Sequence, residues 1–337
     1  MYHHIHSAKI KVADPSHQPL DTVAQLEWLG GDERFFVAGG WDGYLRVYTI
    51  ENSTYTQSIK EVFSLFLGEP IICMAIVQSH VCVGLANGAI YFIDLNSKSQ
   101  SLVGRHEGPV TMLAWKENMA MLVSGGTDKK VFFWRLGDPS PSGSHILGER
   151  VLNGDLRGNA LVLGLSNENY ICCNLDLTMK QDMVRSSLGS YSVLSAVRFN
   201  QQLSICLMGS IDGRVAINNV GKRHEQYELE KALIFKACKV EKETSSYIKT
   251  DISHPINCMD FHPHHSENFA CGSATNKLAI WNTSSRNHVM IIDVDSPVTA
   301  VRFSPSGKLL AYALGDDWRN GLCMFGKVAP SILVERL

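Results

Sequence analysis

Apolar residues in this chain fall in short runs, and the runs themselves recur. The clearest copy reads VTMLAWK at 110–116, MAMLVSGGTD at 119–128 and VFFWRL at 131–136. Each run is short, lacks a 3.6-residue period and is bounded by turn residues, which predicts strands rather than helices. AIYFIDL and RVAINNV follow Asn87-Gly88 and Asp212-Gly213, dipeptides that supply the positive φ angles of two-residue hairpins. Related units open at Val23, Ile71, Val193, Ile256 and Val298, with a degraded copy around Ala160 to Asp176.

A small residue near the end of the second strand marks the period. Gly39, Gly84, Gly125, Gly164, Gly209, Gly272 and Gly315 hold this place. All but one of their intervals lie near the period of about 40–45 residues expected for four-stranded propeller blades. The interval from Gly209 to Gly272 is longer by about 20 residues, and the polar stretch KVEKETSSYIKTD within it predicts a surface loop at 239–251. The expected fold is all-β: one seven-bladed β-propeller domain over residues 1–337. A ring leaves two open strand edges unless it closes. The alternating segment from Ile5 to Val12 is expected to supply the outer strand of the last blade, whose own later strands are LCMFGK at 322–327 and SILVE at 331–335.

Bulk properties narrow the functional classes. The chain has 337 residues, 45% hydrophobic, with a formal net charge of -2. So balanced a charge argues against tight autonomous nucleic-acid binding, which draws on a cationic excess. No run is long enough for a membrane helix, and Met1 to Val12 lacks the pattern of a secretory signal. Cys73, Cys82, Cys206, Cys258 and Cys271 sit in apolar runs and read as small buried hydrophobes of a reducing compartment, nuclear or cytoplasmic.

Candidate chemistry is sparse. His3, His4, His6 and His262, His264, His265 cluster without Cys or carboxylate at ligand spacing, so no metal site is expected. Cys172 and Cys173 are adjacent and point to opposite faces of a strand, which makes neither a zinc clasp nor a redox pair. Phosphate loop, dinucleotide fingerprint and nucleophile elbow are all missing, so no cofactor and no enzyme activity are expected. His106, Ser124 and Asp128 are the residue types of a hydrolase triad. With Trp134, however, they stand where WD repeats place a buried hydrogen-bonded set: Asp orients His, and Ser bridges to the indole.

Longer motifs resemble one branch of the WD-repeat propellers. GSIDGRVAINN at 209–219, followed by IFKAC at 234–238, is similar to a signature of two sister groups. One is the nuclear-pore-associated mRNA export factor; the other is the spindle-checkpoint propeller. PLDTVAQLEW, GGWDGYLRVY, GRHEGPV and PINCMDFHPHH extend the resemblance along nearly the whole chain. LAYALGDDWRNG at 309–320 is closer to the export factor and WDGYLRVY to the checkpoint sister, and the balance favours the export factor.

The resemblance implies a monomer or hetero-complex subunit that recognises a GLEBS-type peptide, carried by a nucleoporin or, in the sister, by checkpoint kinases and kinetochore scaffolds. It places the protein in the nucleus and at the nuclear pore, with cytoplasmic shuttling. Arg214 matches the signature arginine and is expected to pair with a peptide glutamate, for which a guanidinium fork is suited; a rim arginine with a structural partner on a neighbouring blade is the competing role. Trp41 matches a top-face tryptophan, an apolar anchor or else a blade-packing residue. Thr127 stands where both sisters carry an aromatic residue. A side groove for single-stranded RNA is implied at Phe235, Trp281 and Arg286, with Lys129 and Lys130 extending the positive surface, although the two aromatics also suit a core.

Overall fold

In the computed structural model, residues 9–30, 33–52, 57–176, 183–189, 192–245, 248–317 and 327–337 are described. They form seven four-stranded antiparallel sheets and one separate two-stranded sheet. Strands of a blade are named a to d from the central channel outwards. The a strands are Val23–Trp28, Ile71–Val77, Val110–Lys116, Val151–Arg157, Leu194–Phe199, Ile256–Phe261 and Val298–Phe303. Each a strand packs beside the next, and Val298–Phe303 lies against Val23–Trp28, so the ring is closed.

Every a strand carries a bulge at the same place, as between Val110 and Met112 or Val298 and Ala300. A bulge adds one residue on one side of a pair and sharpens the local twist, and its recurrence gives all seven blades the same bend. The periodic glycine has a different cause. A Cβ on Gly84 would stand 2.8 Å from Val110 Cβ, and one on Gly125 would stand 2.9 Å from Val151 Cγ1. The glycine thus admits the first residue of the following blade. In blade 7 its register position is held by Ala313, opposite Ala300, and not by Gly315. The apolar core is accordingly divided into seven clusters, one at each blade junction.

Polar bonds cross the same junctions near the channel. Arg302 donates from Nε to Glu27 of blade 1 at 2.9 Å and from Nη1 to Asp260 of blade 6 at 3.0 Å. The other Asp260 oxygen accepts the Phe303 N–H at 2.8 Å, and Asp155 does the same for Phe199. Lys116, with a fully buried side chain, reaches Asp176 of blade 4 at 2.7 Å.

The closing strand runs Lys9–Lys11 and pairs with Ser331–Arg336 in the order expected of an outer fourth strand. Residues 5–8 and most of 322–327 lie outside the described residues, as do His3, His4, His6 and Trp318. Beyond its ladder, this segment touches other blades. Lys9 Nζ donates to the Asp293 carbonyl at 2.8 Å, Val12 bridges to Ile59, and Ala13 N–H reaches Ile59 O at 2.9 Å.

Two expectations are corrected. The stretch at 239–251 is not a loop but a β-hairpin, Lys239–Ser245 paired with Ile248–Ser253, forming the separate two-stranded sheet. Its charged composition hid the alternation, whereas backbone pairing does not require apolar side chains. Blade 4 begins before its recognised copy, at Val151–Arg157, a strand whose Asn153, Asp155 and Arg157 line the channel instead of a core. Its d strand is only Val184–Arg185.

Candidate functional site

In a four-stranded meander, turns alternate between the two ends of the blade. The a strands and their successors place the b–c turns at one end of the ring, here the top. Trp41, Thr127 and Ile211 occupy the same slot of these turns, in GGWD, GGTD and GSID. Trp41 and Ile211 are each about half exposed, at 48% and 47%. Both line a cavity of 740 Å³ over the channel mouth, with Val23, Pro255 and Ile256 as further apolar walls and Asp316 at its rim. The structure therefore sets Trp41 and the turn preceding Arg214 around one opening. Ile211 was missed from the sequence, yet its alignment with Trp41 in the repeated turn carries the signal.

Arg214 opens the c strand of blade 5, Arg214–Arg223. Its guanidinium holds Asp212 two residues earlier, donates from Nη1 to the Leu188 carbonyl at 2.7 Å and from Nη2 to Ser192 Oγ at 3.0 Å. Leu188 and Ser192 belong to the link from blade 4 to blade 5, so the arginine does have the structural partners weighed above. About a third of the side chain, 34%, still faces solvent. Burial works to raise the Asp212 carboxyl, but hydrogen bonds from Ser210 and Arg214 and the Arg214 charge hold it below the usual carboxylate range. The result is a fixed cation with solvent-facing surface, following a turn whose Ile211 lines the apolar opening. Trp41 sits in a turn locked in the same manner: Asp42 accepts from Leu20 N–H at 2.9 Å and from Arg46 at 2.6 Å.

The blade 3 set is fully assembled. His106 Nδ1 lies 2.9 Å from Asp128 Oδ1, its Nε2 lies 2.8 Å from Ser124 Oγ, and Trp134 Nε1 donates to Ser124 Oγ at 2.8 Å. The carboxylate requires the proton on Nδ1, so Nε2 accepts the serine O–H, and the serine oxygen accepts the indole. Burial holds His106 below its ordinary pKa. Asp128 also accepts the N–H of Glu107 at 3.1 Å and of Lys130 at 3.2 Å, which ties the set to its turn. Ser124 is wholly buried with its hydroxyl spent on this chain of bonds, and a nucleophile needs the reverse. This buried set is the hydrogen-bonded signature of a WD repeat. A family model described as "WD domain, G-beta repeat" matches residues 97–135 and 245–282. Over those two stretches the chain is similar to WD40 repeats.

Proteins similar in sequence span nearly all of this propeller. It is 28% identical to "Protein Rae1" of Drosophila melanogaster over 92% of this chain and 88% of that one. It is 25% identical to "mRNA export factor GLE2" of Chaetomium thermophilum, over 90% and 84%. Identity to "Spindle assembly checkpoint protein bub3" of Schizosaccharomyces pombe is 26%, over 82% and 83%. Among solved structures, the RRP9 WD40 repeats superpose with a TM-score of 0.77 over 95% of both chains at 15% identity, a likeness of fold.

The residues assigned to a side groove do not come together as one surface. Phe235, in the d strand Gln226–Lys236 of blade 5, packs against Trp281 of the blade 6 c strand, with ring centroids 4.9 Å apart. Trp281 is buried at 7% and flanked on its other side by His288, so its face is closed to a base. Trp281 belongs to the core between blades 5 and 6, and the partly buried Phe235 packs against it. Arg286 is exposed in a c–d turn at the bottom, with positive φ. Lys129 and Lys130 lie in the blade 3 b–c turn at the top, bonded to the Gly148 carbonyl at 2.9 Å and to Glu107 at 3.1 Å. His262 uses Nδ1 to accept the N–H groups of His264 and His265 at 3.1 and 3.0 Å.

Proposed function

We propose that this propeller is a non-catalytic adaptor in nuclear export of poly(A)+ mRNA, acting at the nuclear pore by holding a GLEBS-type nucleoporin peptide across its top face. The observation that carries the reading is Arg214: three neighbours orient it, yet it keeps open surface, and Ile211 of the turn before it lines the apolar cavity. Such an arrangement holds a guanidinium in place before a partner arrives, so little side-chain entropy is lost when a peptide carboxylate pairs with it. Trp41 and Ile211 offer the apolar anchors that interface hot spots use. Relatives named as mRNA export factors support the pathway. A checkpoint role, binding kinases or kinetochore scaffolds, is the second reading, favoured by the likeness to bub3.

Calorimetry with a GLEBS peptide on the wild type, Arg214→Ala and Trp41→Ala tests the site. Loss of about 2–5 kcal/mol of binding for the arginine variant is expected if the pair is desolvated in the complex. Unchanged affinity in a folded variant removes the assignment. Pulldown from a nuclear extract separates the pathways, since nucleoporins mark export and checkpoint kinases mark the sister role.

A further inference from the structure

Behind the top face, at the junction of blades 5 and 6, two thiols stand in contact. Cys238 follows the d strand of blade 5, and Cys271 lies in Asn268–Ser273, the b strand of blade 6. Their Sγ atoms are 3.6 Å apart, and both residues are buried, at 5% and 1%. Among the described residues no other two cysteine sulfurs make such a contact. Cys73 is spent on the Val110 carbonyl at 3.2 Å, and burial pushes Cys82, Cys172 and Cys173 up to about 12. Cys238 differs: the hydrogen bond from Cys271 outweighs its burial and, with Ser273, holds its thiol below the ordinary value. Nucleophilic character therefore gathers on Cys238, with a second sulfur already at its side.

We propose that Cys238 and Cys271 are a redox modification site that closes to a reversible disulfide on reaction with a hydroperoxide. With hydrogen peroxide, the Cys238 thiolate attacks one peroxide oxygen. An S–O bond forms as the O–O bond breaks, and the departing hydroxide takes up the thiol proton as water. The Cys271 sulfur then displaces hydroxide from the Cys238 sulfenic acid: the S–S bond forms, the S–O bond breaks, and the Cys271 proton leaves in a second water. Two thiols and one peroxide give one disulfide and two waters.

Reaching a bonded separation of about 2.05 Å asks for side-chain rotation and a small approach of the two blades. Brief local opening at the strand end admits the small oxidant. The bond would also fix a turn. Cys238 N–H donates to the Gly213 carbonyl at 3.3 Å, and the Cys238 carbonyl accepts the His254 N–H at 2.8 Å. The Asp212-Gly213 turn and the end of the hairpin are thus joined to blade 6 through one residue. None of this depends on what the top face binds.

The experiment treats the folded full chain with near-equimolar hydrogen peroxide, quenches it, alkylates it under denaturing conditions and maps its peptides by mass spectrometry. Near-ultraviolet circular dichroism before the quench shows that the fold persists. The expected product is a peptide pair linked through Cys238 and Cys271, released by dithiothreitol and missing from Cys238→Ser and Cys271→Ser. Should a serine variant fail to fold, the wild-type map decides alone. Recovery of both cysteines as alkylated thiols, of Cys238 as a sulfinic acid beside free Cys271, or of a link between other cysteines overturns the proposal.

Discussion

Arg302 donates to Glu27 at 2.9 Å across the junction where blade 7 meets blade 1. The same guanidinium reaches back to Asp260 of blade 6 at 3.0 Å, so one side chain of blade 7 neutralises a carboxylate on each neighbouring blade. Those carboxylates are only 10% and 12% exposed. The Arg302→Met variant would leave both buried charges without a counter-ion, although Gln25 and the Phe303 N–H still bond to them, and a loss of about 3 kcal/mol is expected. Urea unfolding of the two proteins measures it; a loss within the error of the experiment would show that water replaces the guanidinium.

Ser124→Ala removes the link between His106 and Trp134. The indole N–H and His106 Nε2 both lose their partner in a buried site, a cost of about 1–3 kcal/mol. Thermal melts should show the drop. A Ser124→Thr variant is expected to keep part of the bonding, because its hydroxyl is retained.

Acid should weaken the fold through its histidines before its carboxylates. His106 is held below the ordinary value of 6.5 by burial, and His262 by burial and then by His265 and His264. Above pH 6.5 these rings are neutral in both folded and unfolded chains, and their effect on stability is nil. As pH falls through that value the unfolded chain gains protons that the fold refuses, so stability declines until the folded rings also protonate. Denaturation midpoints at about pH 7.5 and about pH 5.5 give the sign. Equal midpoints would mean that the two rings stay accessible to protons in the fold.

Trp281→Ala is expected to act on stability and not on RNA. Removing a buried indole that packs between Phe235 and His288 costs about 3–5 kcal/mol. Single-stranded RNA should bind the isolated wild type weakly and lose affinity steeply with salt, given a net charge of -2. Filter binding across a salt series would reveal tight binding, if present, and thereby restore a nucleic-acid surface.

The propeller was legible because its cause is local and repeated. Each blade needs a small residue where the next one packs, and Gly84 and Gly125 carry that need into the sequence. Where the need is met otherwise the sequence misleads: Ala313 fills the slot in blade 7, while Gly315 stands two positions away. Strands whose sequence lacks an apolar alternation were the hard ones. Val151–Arg157 and the 239–253 hairpin pair through their backbones, which leaves no apolar alternation to read. Trp281 shows the limit for the site. Residue type fits both a stacking platform and a core, and only burial separates them. Arg214 was visible as a motif, whereas its bonds to Leu188 and Ser192 depend on a link between blades that no local pattern encodes.

The closing strand sets an order on the making of the ring. Lys9–Lys11 emerges from the ribosome long before Ser331–Arg336, the strand it must pair with. Throughout synthesis of the intervening blades the first segment has no ladder to join, and the outermost blades keep bare edges towards water and other chains. Ser331–Arg336 therefore completes two things in one step, its own sheet and the circle. Because Lys9 also reaches Asp293 and Val12 reaches Ile59, the early segment fastens blades 6, 7 and 1 together at that moment. A nascent chain of this kind stays an open arc, in need of shielding, until Ser331–Arg336 has been made.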